Sequence, residues 1–308
     1  MHKISSKPGS RVILWTNPRS TSNAFTRCVG HIPETDIWIE PFGYAYLAAL
    51  NMKIKEGVDL PSRYEGNEEL YKRASNLVGS VMDLPFTPHH LSYSYTKRAL
   101  EEAKEKNVFV KDMGIGIRED ELREYIPSGY QHAFLIRHPF LTFQSLRKAS
   151  FKQLLCVGAI NSEESDLTFD FRHYPELGEP WEFYPRLHAL WTYVRENIDA
   201  NPIVIDSSDL LAKPVPMMTK FCENVGLPYN ESVVNWQESA CGTPWKWPGN
   251  FSWPGAYNGT VLSSTRLLAP AEPLPRDQLP HDVIALSDDA MPYYQDMYNH
   301  RLLISTAA

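Results

Sequence analysis

A chain of 308 residues is long enough to bury a full hydrophobic core, as one domain or two. Its formal charge of -7 argues against non-specific nucleic-acid binding, which needs a basic surface, while leaving room for a local basic pocket. No apolar run reaches membrane-span length and none of signal-peptide type precedes the first strand, so a soluble cytoplasmic protein is expected. Cys28, Cys156, Cys222 and Cys241 form no C-x-x-C pair, which speaks against a structural zinc site; their even number permits two disulfides without demanding them.

Residues 1–11 are a polar lead-in. V-I-L-W-T (12–16) reads as a buried strand ended by Pro18, and 23–29 continues as a helix after the turn N-P-R-S-T-S. Strand, turn and helix start make an anion cradle, because the first helical amides have no intrahelical acceptors. Arg19 adds a charged fork, and Ser20, Thr21 and Ser22 add hydroxyls suited to phosphate or sulfate. Taken alone, the pattern fits equally a plain strand-to-helix connection with Ser and Thr as caps. A second short strand (37–39) ends at Glu40, on the edge where open α/β sheets place ligands.

From 43 to 90 the chain looks less regular, with helices over 44–54 and 67–77. His89 and His90 have no acid or cysteine at metal-binding spacing and read as a polar loop near a substrate mouth. A helix over 96–105, with Thr96 as its cap, leads into the strand V-F-V-K-D-M-G, ending at Lys111 and Asp112. A short charged helix (118–125) precedes a fourth strand ending at Arg137, and Pro139 opens a helix to about 150. After a polar and aromatic segment (151–185), Pro185 starts a helix and 202–211 forms a fifth strand. The helix over 217–227 is stopped by Gly226. Residues 233–284 are rich in Trp, Pro and Gly without a period and are expected to fold back over a site. A terminal helix is expected near 292–303.

Short strands alternating with helices predict a three-layer α/β fold with a mostly parallel central sheet. No linker or repeat divides the chain, so a single domain over 1–308 is expected, with long substrate-covering segments at about 43–95 and 233–284. Arg137, at a strand end, is followed eight residues on by Ser145 in the next helix. A guanidinium fork and a hydroxyl so spaced can grip one phosphate. With Arg19 to Ser22 at another strand end, the pair implies a ligand carrying two separated phosphate-like groups.

With these motifs in order, the sequence resembles the sulfotransferases dependent on 3'-phosphoadenosine 5'-phosphosulfate (PAPS), which have a P-loop-like fold. Pro18-Arg19-Ser20-Thr21-Ser22 is similar to the family's 5'-phosphosulfate loop, P-[KR]-S-G/S-T/S. Arg137-His138-Pro139 with Ser145 is similar to its 3'-phosphate motif. The strand 203–211 and F-C-E-N-V-G-L-P-Y resemble the segments that follow, so the likeness covers about 12–230. It implies sulfuryl transfer from PAPS, leaving 3'-phosphoadenosine 5'-phosphate (PAP), with no metal required. Arg19, Ser20, Thr21, Ser22 and Asn23 would hold the phosphosulfate, and Arg137 and Ser145 the 3'-phosphate.

The departures bear on mechanism. G-x-x-x-x-G-K-[ST] is absent, Thr21 stands where glycine is frequent, and Lys111-Asp112-Met113 replaces the K-x-H that carries the base in many cytosolic members. Glu40 is the first candidate base, set against a plain helix-cap or salt-bridge role, and Asp112 is its rival, which could instead orient Arg19 or Lys111. Arg19, helped by Lys111, would meet charge on the bridging oxygen. Trp245-Lys246 faintly resembles the family's closing loop; Lys246 would reach a phosphate and Trp247 or Trp253 line the acceptor pocket, or the segment simply packs. Trp and Tyr in 42–95 and 236–257 point to a small acceptor, aromatic or cationic. The alternatives are a non-catalytic PAP-binding protein and a small-metabolite kinase; oligomeric state is not legible.

Overall fold

The computed structural model describes residues 9–161, 168–236, 245–246, 248, 263–269, 272 and 274–304. The first strand, β1 (Arg11–Thr16), lies at the centre of a six-stranded sheet with β2 (Thr35–Ile39), β3 (Asn107–Met113), β4 (Gln131–Ile136), β5 (Ile203–Asp206) and β6 (Trp245–Lys246). The order is β5-β4-β1-β3-β2-β6, and every pairing is parallel. The fold is therefore the α/β class that the alternating pattern predicts.

Alternation along each strand builds two cores. Val12 and Leu14 of β1, with Phe109 of β3 and Leu135 of β4, pack on α1 (Ser22–Gly30), α7 (Ser207–Ala212) and α8 (Pro214–Val225). Ile13, Trp15, Val110 and Phe134 face the other way, onto α4 (Tyr93–Glu101), α5 (Pro139–Cys156), α6 (Phe183–Asn197) and α9 (His281–Asn299). The helices α2 (Pro41–Glu56) and α3 (Glu68–Met82) pack together as a satellite through Leu47, Ala48, Tyr71 and Val78.

The connection from β1 runs towards β2 on one side, whereas that from β4 runs to β5 on the other. The carboxyl ends of β1 and β4 thus flank a topological switch point, the usual ligand crevice of an open α/β sheet. Arg19 follows one of these strands and Arg137 the other.

Several elements differ from expectation. The region 43–90 is more helical than it looks, since α2 and α3 occupy much of it. Thr96 is not a cap: α4 begins three residues earlier, where Ser92 accepts a hydrogen bond from the Tyr95 amide at 3.3 Å. The charged segment before β4 forms a 3-10 turn, Asp120–Tyr125. The fifth strand stops at Asp206, whose carboxylate caps α7 by accepting from the amides of Ser208 and Asp209 at 2.8 and 3.4 Å. The last helix starts at His281 and runs through Pro292, because Val283, Leu286, Ala290, Tyr294 and Met297 form a continuous core-facing stripe. Cys28, Cys156 and Cys222 are free thiols, and Cys241 lies outside the described residues. Among the described residues no helix is long and apolar enough to cross a membrane.

Candidate active site

The turn after β1 is held in an uncommon shape. Arg19 and Thr21 have φ of 64° and 73°, and Glu40, after β2, has 51°. Only Glu34 and Asp83 join them as non-glycine residues in this region among those described. Such a conformation costs about 1–3 kcal/mol at each residue, and its clustering at ligand sites is well established. The φ of Thr21 explains why glycine suits this position. Its hydroxyl is 2.7 Å from the Ser207 hydroxyl, and Thr21 gives α1 no side-chain cap. Ser20 is 1% exposed, and its hydroxyl oxygen has no hydrogen-bond partner among the described residues. A buried hydroxyl left without a partner beside a helix start fits a cradle for a multi-oxygen anion.

The two arginine motifs meet in one cluster. Arg19 Nε donates to Ser145 Oγ at 3.0 Å, and Arg137 Nη1 donates to the Arg19 carbonyl at 2.7 Å. Behind them Tyr184 donates to the Arg137 carbonyl at 2.6 Å, and its hydroxyl lies 3.0 Å from Thr142 Oγ1. Burial lowers the Arg137 pKa; Tyr184 and Asp206 oppose this, and the Arg19 charge adds to the lowering. An anion between these guanidiniums would relieve their repulsion.

Neighbouring acids are separated by strand parity. Lys111 lies on the Phe109 side of β3, and Asp112 on the Val110 side. The register pairs Ile39 with Lys111, which sets Glu40 one residue beyond, and the Glu40 amide donates to the Lys111 carbonyl at 2.6 Å. The Lys111 ammonium, almost fully buried, is ion-paired with the Glu40 carboxylate. Asp112 has another task. Its oxygens accept from the amides of Phe42 and Gly43 at 2.8 and 2.9 Å, so it plugs the start of α2, and from its neighbour Met113 at 2.8 Å. Burial pushes its pKa up to about 7, against those three donors. The expectation that Asp112 orients Arg19 or Lys111 gives way to this helix-capping role.

A cavity of about 110 Å³ joins the cradle to an apolar chamber. Arg19, Ser22 and Asn23 line one end, Glu40 and Lys111 the junction, and Tyr44, Tyr46, Leu47, Met82 and Met113 much of the remainder. The far wall comes from Leu177 and Gly178 in the segment before α6 and from Phe183 at the first position of α6, which the sequence reading missed. The one signal there is Gly178 within P-E-L-G-E-P, whose φ of 117° needs glycine.

Lys246 lies elsewhere. It sits on edge strand β6, ion-paired with Asp36 at 2.7 Å and 4.9 Å from the Trp38 ring centroid. The strands β2 and β3 stand between it and β1, so it is not a ligand of the cradle. Trp247 and Trp253, expected in the acceptor pocket, lie outside the described residues. His89 and His90 form part of a 3-10 turn and pack on Tyr95. No cluster of three or more His, Cys, Asp or Glu suited to a metal occurs among the described residues.

With this geometry in place, the chain can be set beside known proteins. Residues 196–301, roughly a third of the chain, match the family model of a sulfotransferase domain. The match agrees with the resemblance to sulfotransferases over this stretch of the chain. The match runs from the end of α6 to the end of α9, while the Arg19 and Arg137 motifs lie before it. No curated protein matches the chain. Among solved structures, the sulfotransferase domain from the Synechococcus PCC 7002 olefin synthase is 14% identical, with 93% of this chain and 96% of that one covered at a TM-score of 0.42. The sulfotransferase domain from the curacin biosynthetic pathway is 12% identical, with 97% and 100% covered and the same TM-score, 0.42.

Proposed function

We propose that the chain, as one sulfotransferase-like domain over 1–308, moves a sulfuryl group from PAPS to a hydroxyl or amine of a small-molecule acceptor. The observation that supports this most is the Glu40–Lys111 pair at the junction between an anion cradle and an apolar chamber. Bound PAPS supplies the sulfuryl group and a 3'-phosphate by which it can be held. Arg19, Ser20, Thr21, Ser22 and Asn23 hold the phosphosulfate, with the buried Ser20 hydroxyl as a ready donor. Arg137 and Ser145 take the 3'-phosphate, and Arg137 also fixes the loop through the Arg19 carbonyl.

Glu40 takes the proton of the attacking group, and Lys111 keeps its carboxylate in place. As Glu40 becomes protonated, the Lys111 ammonium is released to meet charge developing at the cradle, next to Arg19. Asp112 is a positioning residue, since it fixes the start of the helix that follows Glu40.

Sulfur-labelled PAPS incubated with a panel of alcohols, phenols and amines tests the reading. The expected outcome is a labelled product together with PAP, lowered about 10²–10⁴-fold by Glu40→Gln with PAP affinity retained. PAP binding without turnover in the parent protein would instead mark a non-catalytic binder.

A further inference from the structure

The chamber restricts the chemistry of what enters it. Arg19, Glu40 and Lys111 are the charged side chains of its described lining, and all belong to the cradle end or the junction. The remaining wall is apolar or aromatic, with Leu47, Met82, Met113, Ile115, Leu177 and Phe183 among its members. The Tyr46 hydroxyl donates to Glu179 at 3.0 Å, and Arg118 is ion-paired with the same carboxylate. Arg118 and Glu179 thus pair with each other, and neither lines the cavity.

Resting on the sulfuryl-transfer reading above, we infer that the acceptor is an uncharged lipophilic hydroxyl compound, aliphatic or single-ring. The cavity volume of about 110 Å³ compares with the roughly 150 Å³ of an apolar cavity that binds benzene. That volume includes the cradle end, so a single ring or a short alkyl chain is the most the chamber encloses, and any larger part of the acceptor reaches out through the opening. The two methionines add a lining that adapts to either shape.

Charged acceptors fail for identifiable reasons. A simple aliphatic amine is protonated near neutral pH, in the range of a lysine at about 10.4. As an ammonium it has no lone pair for attack and would enter beside Arg19 and Lys111. The junction carboxylate, Glu40, is already paired with Lys111. An acceptor carrying its own carboxylate would bury that group against an apolar wall, unpaired. A neutral hydroxyl needs one acceptor for its proton, and Glu40 supplies it. In the transfer, the hydroxyl oxygen forms the new bond to sulfur as the bond from sulfur to the bridging oxygen breaks. PAP leaves with that electron pair, and the hydroxyl proton passes to the Glu40 carboxylate.

The test compares benzyl alcohol, benzylamine and 4-(hydroxymethyl)benzoate as acceptors with labelled PAPS, after PAP binding has been measured on the same protein. Benzyl alcohol should exceed each charged compound by about 100-fold in kcat/KM, the scale set by burying an unpaired charge. Leu177→Glu, which places an acid on the apolar wall, should narrow the alcohol-to-amine ratio at least about tenfold with PAP affinity unchanged. Equal or better turnover of the amine or the carboxylate overturns the inference. So does intact PAP binding with no PAPS consumed by benzyl alcohol, phenol or the straight-chain alcohols from methanol to hexanol. Failure of PAP itself to bind is a different result, which removes the sulfuryl-transfer reading and this inference with it.

Discussion

The helix starts of α1 and α2 look alike and are completed differently. Each follows a parallel strand, each has a left-handed residue at its N-cap (Thr21 and Glu40), and neither residue caps through its side chain. At α2 the gap is closed from inside, because Asp112 on the adjacent strand accepts from Phe42 and Gly43. At α1 there is no acidic residue in the first turn, the Thr21 hydroxyl turns to Ser207, and the cradle is ringed by Arg19, Arg137 and the buried Ser20 hydroxyl. One helix start is a piece of architecture sealed by an internal carboxyl group. The other is arranged for an anion that comes from outside.

The strongest way to break this contrast is at the two acids. Glu40→Gln should cost about 10²–10⁴-fold in transfer with PAP affinity retained, and should lower the melting temperature because the buried Lys111 ammonium loses its counter-charge. Asp112→Ala should act chiefly on stability, lowering transfer only through the looser start of α2. Losing the acceptor for two buried amides should cost about 2–4 kcal/mol of stability, read as a lower denaturant midpoint.

Asp112 also gives a pH signature. Its folded pKa is raised to about 7 from an ordinary 3.8, with burial as the main cause. The folded state then holds a proton that the unfolded chain releases between those values. This stabilising contribution is complete below pH 3.8 and is lost as pH rises towards and through 7. Comparing urea midpoints from pH 4 to 8 should show a decline in the parent that is flatter in Asp112→Asn.

Smaller effects sharpen the contrast. Thr21→Gly relieves a left-handed threonine but loses the contact with Ser207, and these terms of about 1 kcal/mol each should nearly cancel in thermal melts. Lys246→Ala should leave PAP affinity unchanged and shift stability by at most about 1 kcal/mol, since a half-exposed ion pair is lost far from the cradle.

Much of this site was legible because it is local. Pro18 to Ser22 lie together in sequence, and each strand end shows as an apolar run that stops at a charge. The alternating α/β pattern follows from the same runs, whereas the switch point needed the strand order. The different surroundings of Glu40 and Asp112 needed the register of β2 on β3, which sets Glu40 beside Lys111, together with the α2 amides that donate to Asp112. Lys246 misled because its partner, Asp36, is 210 positions away and is reached only when β6 joins β2. The wall formed by Leu177, Gly178 and Phe183 has no periodicity to announce it. Its position depends on the packing of α2 and α6.

The most direct measurement is calorimetric titration of the parent protein and Arg137→Ala with PAP. The account predicts saturable one-site binding by the parent, weakened at least about tenfold in the variant, on the scale of one charge-assisted phosphate contact. A folded parent that binds no PAP, or a variant that binds it as tightly as the parent, would contradict the account.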